Sequence, residues 1–200
     1  MTPDDILPTY ARHARAFAAN RTKTLFERGW LDRALNHAPG RQVLDLGCGA
    51  GDPIARYLAD RRAQVTGVDA TPDMIEMFSA LLPRHQAIMA DMRSLSLDRQ
   101  FDVILAWDSF FHLSPDDQRA MFAVFAAHAA PGAVLMFTSG PDAGEAIGQV
   151  EGSPIYHSSL SPKEYRHLLD SHGFQELAFT PEDPTCDYHS VWMARKRITA

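Results

Sequence analysis

The residues with the clearest chemical use lie in the run Val43-Leu-Asp-Leu-Gly-Cys-Gly-Ala-Gly-Asp-Pro53, where an apolar stretch feeds three glycines, Gly47, Gly49 and Gly51, and then a helix start. Backbone without Cβ atoms lets a ligand rest directly on the turn between strand and helix. A dinucleotide fingerprint would place its third glycine one position later; Asp52 stands there instead, and its charge at a helix start opposes a pyrophosphate. The loop suits a cofactor without phosphate. Two further acids are spaced along the chain. Asp69 closes the apolar run Gln64-Val-Thr-Gly-Val68, where a carboxylate accepts from both ribose hydroxyls. Asp91 follows a third run, where it accepts from an adenine amino group while the Met92 amide serves the ring. An adenosine fits these places. Each feature also has a plainer reading: a tight strand-to-helix turn, a surface turn acid at Asp69, an N-cap or solvated loop acid at Asp91.

These residues are positioned by an alternation of short β-rich runs with helical segments from residue 41 onward, the signature of an α/β chain. Strands are expected at 42–46, 64–68, 86–90, 101–107 and 133–138. The helices between them start at Asp52 as N-cap with Pro53 in the first turn, at Thr71, and at Ser114-Pro-Asp-Asp117; Met121, Phe122, Val124 and Phe125 face inward before Pro131-Gly132. The stretch 140–160, with four glycines and two prolines, reads as a long lid-like loop. A capping box at Ser161-Pro-Lys-Glu164 opens another helix, which Gly173 ends, and 174–179 and 190–194 read as closing strands, antiparallel neighbours at a sheet edge. The division expected is a helical lid or cap over 1–40, one or two helices laid across the top, and a single domain over 41–200. A core of this length buries roughly 70% of the surface its unfolded chain exposes.

Composition narrows the partners. Nineteen Lys and Arg against 25 Asp and Glu give a formal charge of −6, so no basic field exists to collect a nucleic acid, which is not expected as the main substrate. Two cysteines, Cys48 and Cys186, exclude a disulfide framework and suit a reducing compartment; the protein is read as cytoplasmic. The acidic start lacks an apolar signal core, and no apolar stretch approaches the ~20 residues of a membrane helix.

The glycine loop, Asp69, Ala90-Asp91-Met92 and Phe101-Asp-Val-Ile-Leu-Ala-Trp107 together resemble the class I S-adenosylmethionine-dependent methyltransferases, in their small, stand-alone branch. The resemblance implies an α/β, Rossmann-like fold: a seven-stranded, mostly parallel sheet of order 3-2-1-4-5-7-6 with strand seven antiparallel and helices on both faces. It implies S-adenosylmethionine over the carboxyl ends of strands one, two and four. In that family pattern the backbone of Gly47 and of Ala106-Trp107 holds the methionine moiety, Asp69 the ribose, and Asp91 with Met92 the adenine. Asp45, Cys48, Gly49, Gly51 and Ala70 are further cofactor-binding candidates, and Arg21 is the candidate for the methionine carboxylate.

Methyl transfer from a sulfonium is an in-line displacement with a neutral leaving group, so alignment carries most of the catalysis, with a base where the acceptor is OH or NH. His112, whose ordinary pKa lies near neutrality, is the first candidate base and Asp108 the second; His112 reads equally well as a residue hydrogen-bonded to a loop carbonyl. Tyr10, Phe111, Tyr156, His157 and His189, with Tyr188, are candidates for the pocket of a small-molecule acceptor. No metal is expected, since His112, His157 and His189 lack i,i+4 spacing and Cys186-x-x-His189 is only half of a zinc pattern. Cys48 reads as a packing residue, and His13, His37, His85, His128, His167 and His172 as surface residues. The competing readings are a nicotinamide-dependent oxidoreductase of Rossmann type, weakened by Asp52, and a protein that binds S-adenosylmethionine without catalysis. Oligomeric state is not legible.

Overall fold

The computed structural model describes residues 1–198; Thr199 and Ala200, the end of the 41–200 unit, lie outside the described residues. The strands are β1 (Gln42–Leu46), β2 (Gln64–Asp69), β3 (Gln86–Met89), β4 (Phe101–Ala106), β5 (Ala129–Ser139), β6 (Gly144–Val150), β7 (Ser153–Ser159), β8 (Phe174–Asp183) and β9 (His189–Lys196). The helices are α1 (Ile6–Asn20), α2 (Arg28–His37), α3 (Ile54–Asp60), α4 (Pro72–Leu81), α5 (Pro115–His128) and α6 (Pro162–Ser171). Seven strands form one sheet in the order β3-β2-β1-β4-β5-β9-β8. In the count of that sheet alone this is 3-2-1-4-5-7-6, and β9, its seventh strand, runs antiparallel to both β5 and β8. The fold is α/β and Rossmann-like, a mostly parallel sheet with helices on both faces.

Val43, Leu44, Leu46, Val103, Ile104 and Leu105 are fully buried, which a strand achieves only when both faces of its sheet are covered. The period of two sorts them. Leu44, Leu46, Ile104, Leu135 and Phe137 pack with the apolar sides of α5 and α6, through Phe122, Phe125, Tyr165 and Leu169. Val43, Val103, Leu105, Val134 and Met136 pack with α2, α3 and α4, through Leu31, Leu35, Leu58 and Phe78. At about 1.5–3 kcal/mol for each large apolar side chain removed from water, these two layers dominate the stability. Asp45 shares the Val43 face of β1, at its carboxyl end, with Gly67 and Leu105 beside it.

Four features depart from the expectations. The stretch 140–160 is not a loop: β6 and β7 form a two-stranded antiparallel hairpin outside the main sheet. Only α1 lies across the carboxyl edge; α2 buries Trp30, Leu31, Ala34 and Leu35 within the layer on one sheet face. Asp52 does not cap α3, whose N-cap is Pro53; its carboxylate faces Lys23 and Arg56, each at 3.6 Å. Finally, β5 begins at Ala129, four residues before the expected start, and absorbs Pro131 and Gly132 where the β4–β5 register slips. The caps at Ser114 and Ser161 accept from the Asp117 and Glu164 amides, and Gly173 at φ 78° ends α6.

Candidate functional site

The carboxyl ends of β1, β2 and β4 open into a crevice roofed by α1, enclosing about 1210 Å³ of empty space, part of it open to solvent. Its floor is the loop after β1. At Gly47, φ 74° already favours glycine, and an added Cβ would lie 2.3 Å from Ser109 Cβ. The Ser109 hydroxyl donates to the Leu46 carbonyl at 2.7 Å, so the loops after β1 and β4 are clamped together through the missing side chain. Gly49 and Gly51 are also left-handed, and above Gly49 nothing approaches closer than Met74 Sδ at 3.9 Å. A ligand has direct access to that backbone.

Asp69 ends β2 and knits the floor to its neighbour. Its Oδ2 accepts from Gly49 N at 3.0 Å and its Oδ1 from Thr71 N at 2.8 Å. Burial raises its pKa, and the amides of Thr71 and Gly49 pull it back down. Each oxygen keeps a lone pair for a hydroxyl. Asp45 is more deeply placed, and burial pushes its carboxyl up to about 7, with Arg21 opposing and Asp69 adding to the shift. Cys48 lines the crevice, its thiol pushed well up by burial, which makes it an inert wall.

At the far end Asp91 lines the crevice with Met92 and Arg93. Its carboxylate grips the Arg93 guanidinium at 2.6 Å and caps the short 3₁₀ turn Met92–Ser94 through Arg93 N at 2.9 Å; these contacts hold it below the ordinary carboxylate range. It thus has the local capping role as well as a place in the wall.

The segment after β4 collects the charges. Asp108 sits at φ 48°, a left-handed conformation that Asp tolerates better than most residues. Its Oδ1 meets His189 Nε2 at 3.0 Å and its Oδ2 lies 3.8 Å from Arg21. His189 is sandwiched between Phe26 and Trp107, with ring centroids at 5.2 and 5.4 Å, and its Nδ1 donates to the Cys186 carbonyl. Burial works against its charge, yet the hydrogen bond and charge of Asp108 carry its pKa up to about 9, so it is an imidazolium at neutral pH. Asp108 is therefore committed to two cations.

His112 is held by neutral groups. Its Nδ1 lies 2.9 Å from the Tyr156 carbonyl oxygen, which can only accept, so Nδ1 carries the hydrogen and Nε2 accepts from the Tyr10 hydroxyl at 3.1 Å. Burial lowers its pKa to about 4, with the Tyr156 carbonyl opposing, so the ring is neutral across the physiological range. Tyr10, on α1, has its pKa raised by burial and stays a phenol.

Of the residues expected at the site, Tyr10, Arg21, Asp45, Gly47, Cys48, Gly49, Gly51, Asp69, Ala70, Asp91, Met92, Trp107, Asp108 and His112 line one crevice. Ala106 is buried within β4 as Phe137's partner in the sheet. Five others are placed elsewhere. Phe111 and His157 line a second cavity under the hairpin. His189, stacked between Phe26 and Trp107, lines neither that cavity nor the crevice. The Tyr156 side chain packs with Ile6, Val150 and Ile155, leaving only its carbonyl for His112, because the hairpin's alternation turns it toward α1. Tyr188 is exposed. Among the histidines read as surface residues, His128 is buried instead; its Nε2 accepts from Leu97 N at 2.9 Å, tying α5 to the chain before β4. One functional neighbour had no sequence signal: Glu27, fully buried before α2, has neither carboxylate oxygen hydrogen-bonded, and burial raises its pKa with Arg21, Asp108 and His189 nearby. Among the described residues, no group of three His, Cys, Asp or Glu is arranged to hold a metal ion, and no helix is long and apolar enough to cross a membrane.

Residues 43–132 match the family described as methyltransferase domain. The chain is 30% identical over 116 residues to a ubiquinone biosynthesis O-methyltransferase of Pseudomonas fluorescens (strain Pf0-1), covering 55% of this chain and 48% of that protein. It is 36% identical over 104 residues to a cypemycin N-terminal methyltransferase of Streptomyces sp, covering 48% and 42%. The chain thus spans about half the length of these curated relatives. Among solved structures, an amino pentose methyltransferase from Micromonospora echinaspora, with S-adenosylmethionine bound, superposes with a TM-score of 0.69 at 19% identity, covering 94% of this chain and 96% of the other.

Proposed function

We propose, from a chain whose residues 43–132 match a methyltransferase domain, that it transfers a methyl group from S-adenosylmethionine to an oxygen or nitrogen atom of a small molecule. The observation that carries this is the juxtaposition of an open glycine floor with Asp69 at one end of a single crevice and His112 at the other. Asp69 has a free lone pair on each oxygen for the ribose hydroxyls, and Asp91 with Met92 forms the adenine end. Arg21 is the cation available to the methionine carboxylate, and a carboxylate there competes with Asp108 for its guanidinium. The bound donor supplies an electrophilic methyl, and the rest is done by the chain.

In this reading His112 takes the acceptor's proton at Nε2, once Tyr10 yields that lone pair or relays the proton through its own hydroxyl. Asp108 acts as the anchor of His189 rather than as a base. The acceptor approaches along Phe111 and His157. The first forty residues work as a cover through α1 alone, with α2 belonging to the body, and the free thiols Cys48 and Cys186 suit the cytoplasm. The acidic net charge argues against nucleic acid as acceptor. Calorimetry with S-adenosylmethionine, its demethylated product and NAD tests the donor; we expect binding of the first two and none of the third. A panel of small molecules scored for gain of one methyl mass tests transfer. Donor binding without any mass gain favours a protein that binds the cofactor without catalysis.

A further inference from the structure

Three charged side chains line the wall at the Asp91 end of the crevice: Asp91 after β3, Arg93 two residues on, and Asp117 in the first turn of α5. Arg93 holds Asp91 with its backbone and its side chain together. Asp91 Oδ1 accepts from Arg93 N at 2.9 Å and from its Nε at 3.1 Å; Oδ2 accepts from Nη2 at 2.6 Å and shares Nε at 3.0 Å. The other arm of the guanidinium, Nη1, reaches Asp117 Oδ2 at 3.3 Å, so the turn after β3 is tied to the start of α5. Arg93 has an acid on each side, and its charge is balanced without any ligand.

A carboxylate oxygen has two lone pairs. Both of those on Oδ1 are taken by Arg93, while Oδ2 keeps one, and the carboxylate cannot rotate without breaking the fork. Beside it stands a donor. Met92 opens the short 3₁₀ turn that Asp91 caps, and as the first residue of that turn its amide has no acceptor within it. One fixed acceptor next to one open donor matches the edge of adenine, where the exocyclic amino group donates and the ring nitrogen accepts. A 6-oxo purine presents an acceptor and a donor in the reverse order and meets a mismatch at both. The three side chains are 32–39% exposed, and ion pairs so placed add little to stability, so the consequence of this arrangement lies in direction and not in folding energy.

Resting on the methyl-transfer reading above, we infer that Arg93 is a positioning residue for the donor's purine: braced by Asp117, it aims the one open lone pair of Asp91 Oδ2 at the exocyclic amino group, and so makes the site take a 6-amino purine and reject a 6-oxo purine. Arg93 acts through Asp91. Without it the carboxylate turns freely and offers either oxygen to water, and the turn that presents the Met92 amide loses the side chain that locks its cap.

S-adenosylhomocysteine and S-inosylhomocysteine, which exchange the amino group for an oxo group, test this when each is titrated calorimetrically against the full chain. The parent protein is expected to prefer the amino ligand by at least about tenfold. R93M is expected to bring that preference below about threefold, and R93K, which keeps the charge and loses the fork, to fall between the two. In D91N, whose amide can turn a donor toward the oxo group, the preference is expected to move toward S-inosylhomocysteine. A parent protein without preference overturns the aim of Asp91. An R93M that keeps the parental preference overturns the role of Arg93, even where it binds both ligands more weakly by one factor, since a merely structural role gives that result. Both outcomes leave the donor reading standing. Failure of S-adenosylhomocysteine to bind the parent protein overturns the donor reading instead.

Discussion

Replacing Asp69 with alanine removes the carboxylate proposed to take two ribose hydroxyls, and the size of the loss follows from its surroundings. Hydrogen bonds to a charged acceptor are worth about 1.5–3 kcal/mol each, but hydroxyls freed in an open crevice regain water, so a net loss of about 1–3 kcal/mol is expected, or roughly 5–150-fold in donor affinity. Asp69 also accepts from Gly49 N and Thr71 N, so part of any loss reports a loosened floor instead of lost ribose contacts. A cycle separates the two. Calorimetry on the parent protein with S-adenosylhomocysteine and with its 2′,3′-dideoxy analogue gives the contribution of the hydroxyls, and the same pair on Asp69→Ala shows whether it vanishes. We expect the dideoxy penalty to fall from the range above to near zero. A penalty of equal size in both proteins would mean that the hydroxyls are held elsewhere, and the assignment of Asp69 fails even if the variant binds weakly.

His112→Ala is expected to lower turnover about 10²–10⁴-fold on a hydroxyl acceptor with little change in donor affinity; equal losses in both return His112 to a packing role. Because its pKa is held down to about 4, turnover on such an acceptor should not fall between pH 8 and pH 5.5 through loss of this base, which a pH–rate profile checks. His189 gives the opposite limb. Its folded pKa of about 9 exceeds the unfolded value near 6.5, so its contribution, on the order of 3 kcal/mol, is present below about pH 6.5 and is lost as pH rises through about 9. The fall in Tm over that window should be shallower in His189→Gln, and an unchanged slope would sink the Asp108 pairing as its cause. Gly47→Ala should cost more than about 1 kcal/mol in denaturant unfolding, since the added carbon collides with Ser109 and strains a left-handed residue.

The main sheet was legible because it is buried on both faces, so Val43-Leu44 and Ile104-Leu105 read as strand-sized apolar runs, and because Ser114, Ser161 and Gly173 punctuate the helices. The glycine floor and Asp69 were legible for the same local reason: strand, turn and acid follow one another within about two dozen residues. The hairpin was not, because its outward strand carries Glu145, Ala146 and Ile147 in the open, with glycines and Pro154 breaking any alternation. Sequence patterns report burial, and a ribbon covering a rim has little. The Asp108–His189 pair escaped for another reason: its members are brought together only when β9 inserts beside β5. His128 misled because a buried histidine whose two nitrogens are satisfied by Val124 and Leu97 backbone groups looks, in sequence, like any polar helix residue.

The roof joins two segments that are far apart in the chain. Ile6, Tyr10 and Phe17 on α1 meet Val150, Ile155 and Tyr156 on the hairpin in an apolar seam separate from both layers flanking the sheet, tied outside it by His13 to Ser153 and Asn20 to Glu151. Parting that seam exposes a handful of side chains and leaves the two large layers intact. On the methyl-transfer reading, the spent donor leaves through a local breathing motion far cheaper than global melting, and the amides of α1 are expected to trade hydrogen with water well before those of β1 and β4.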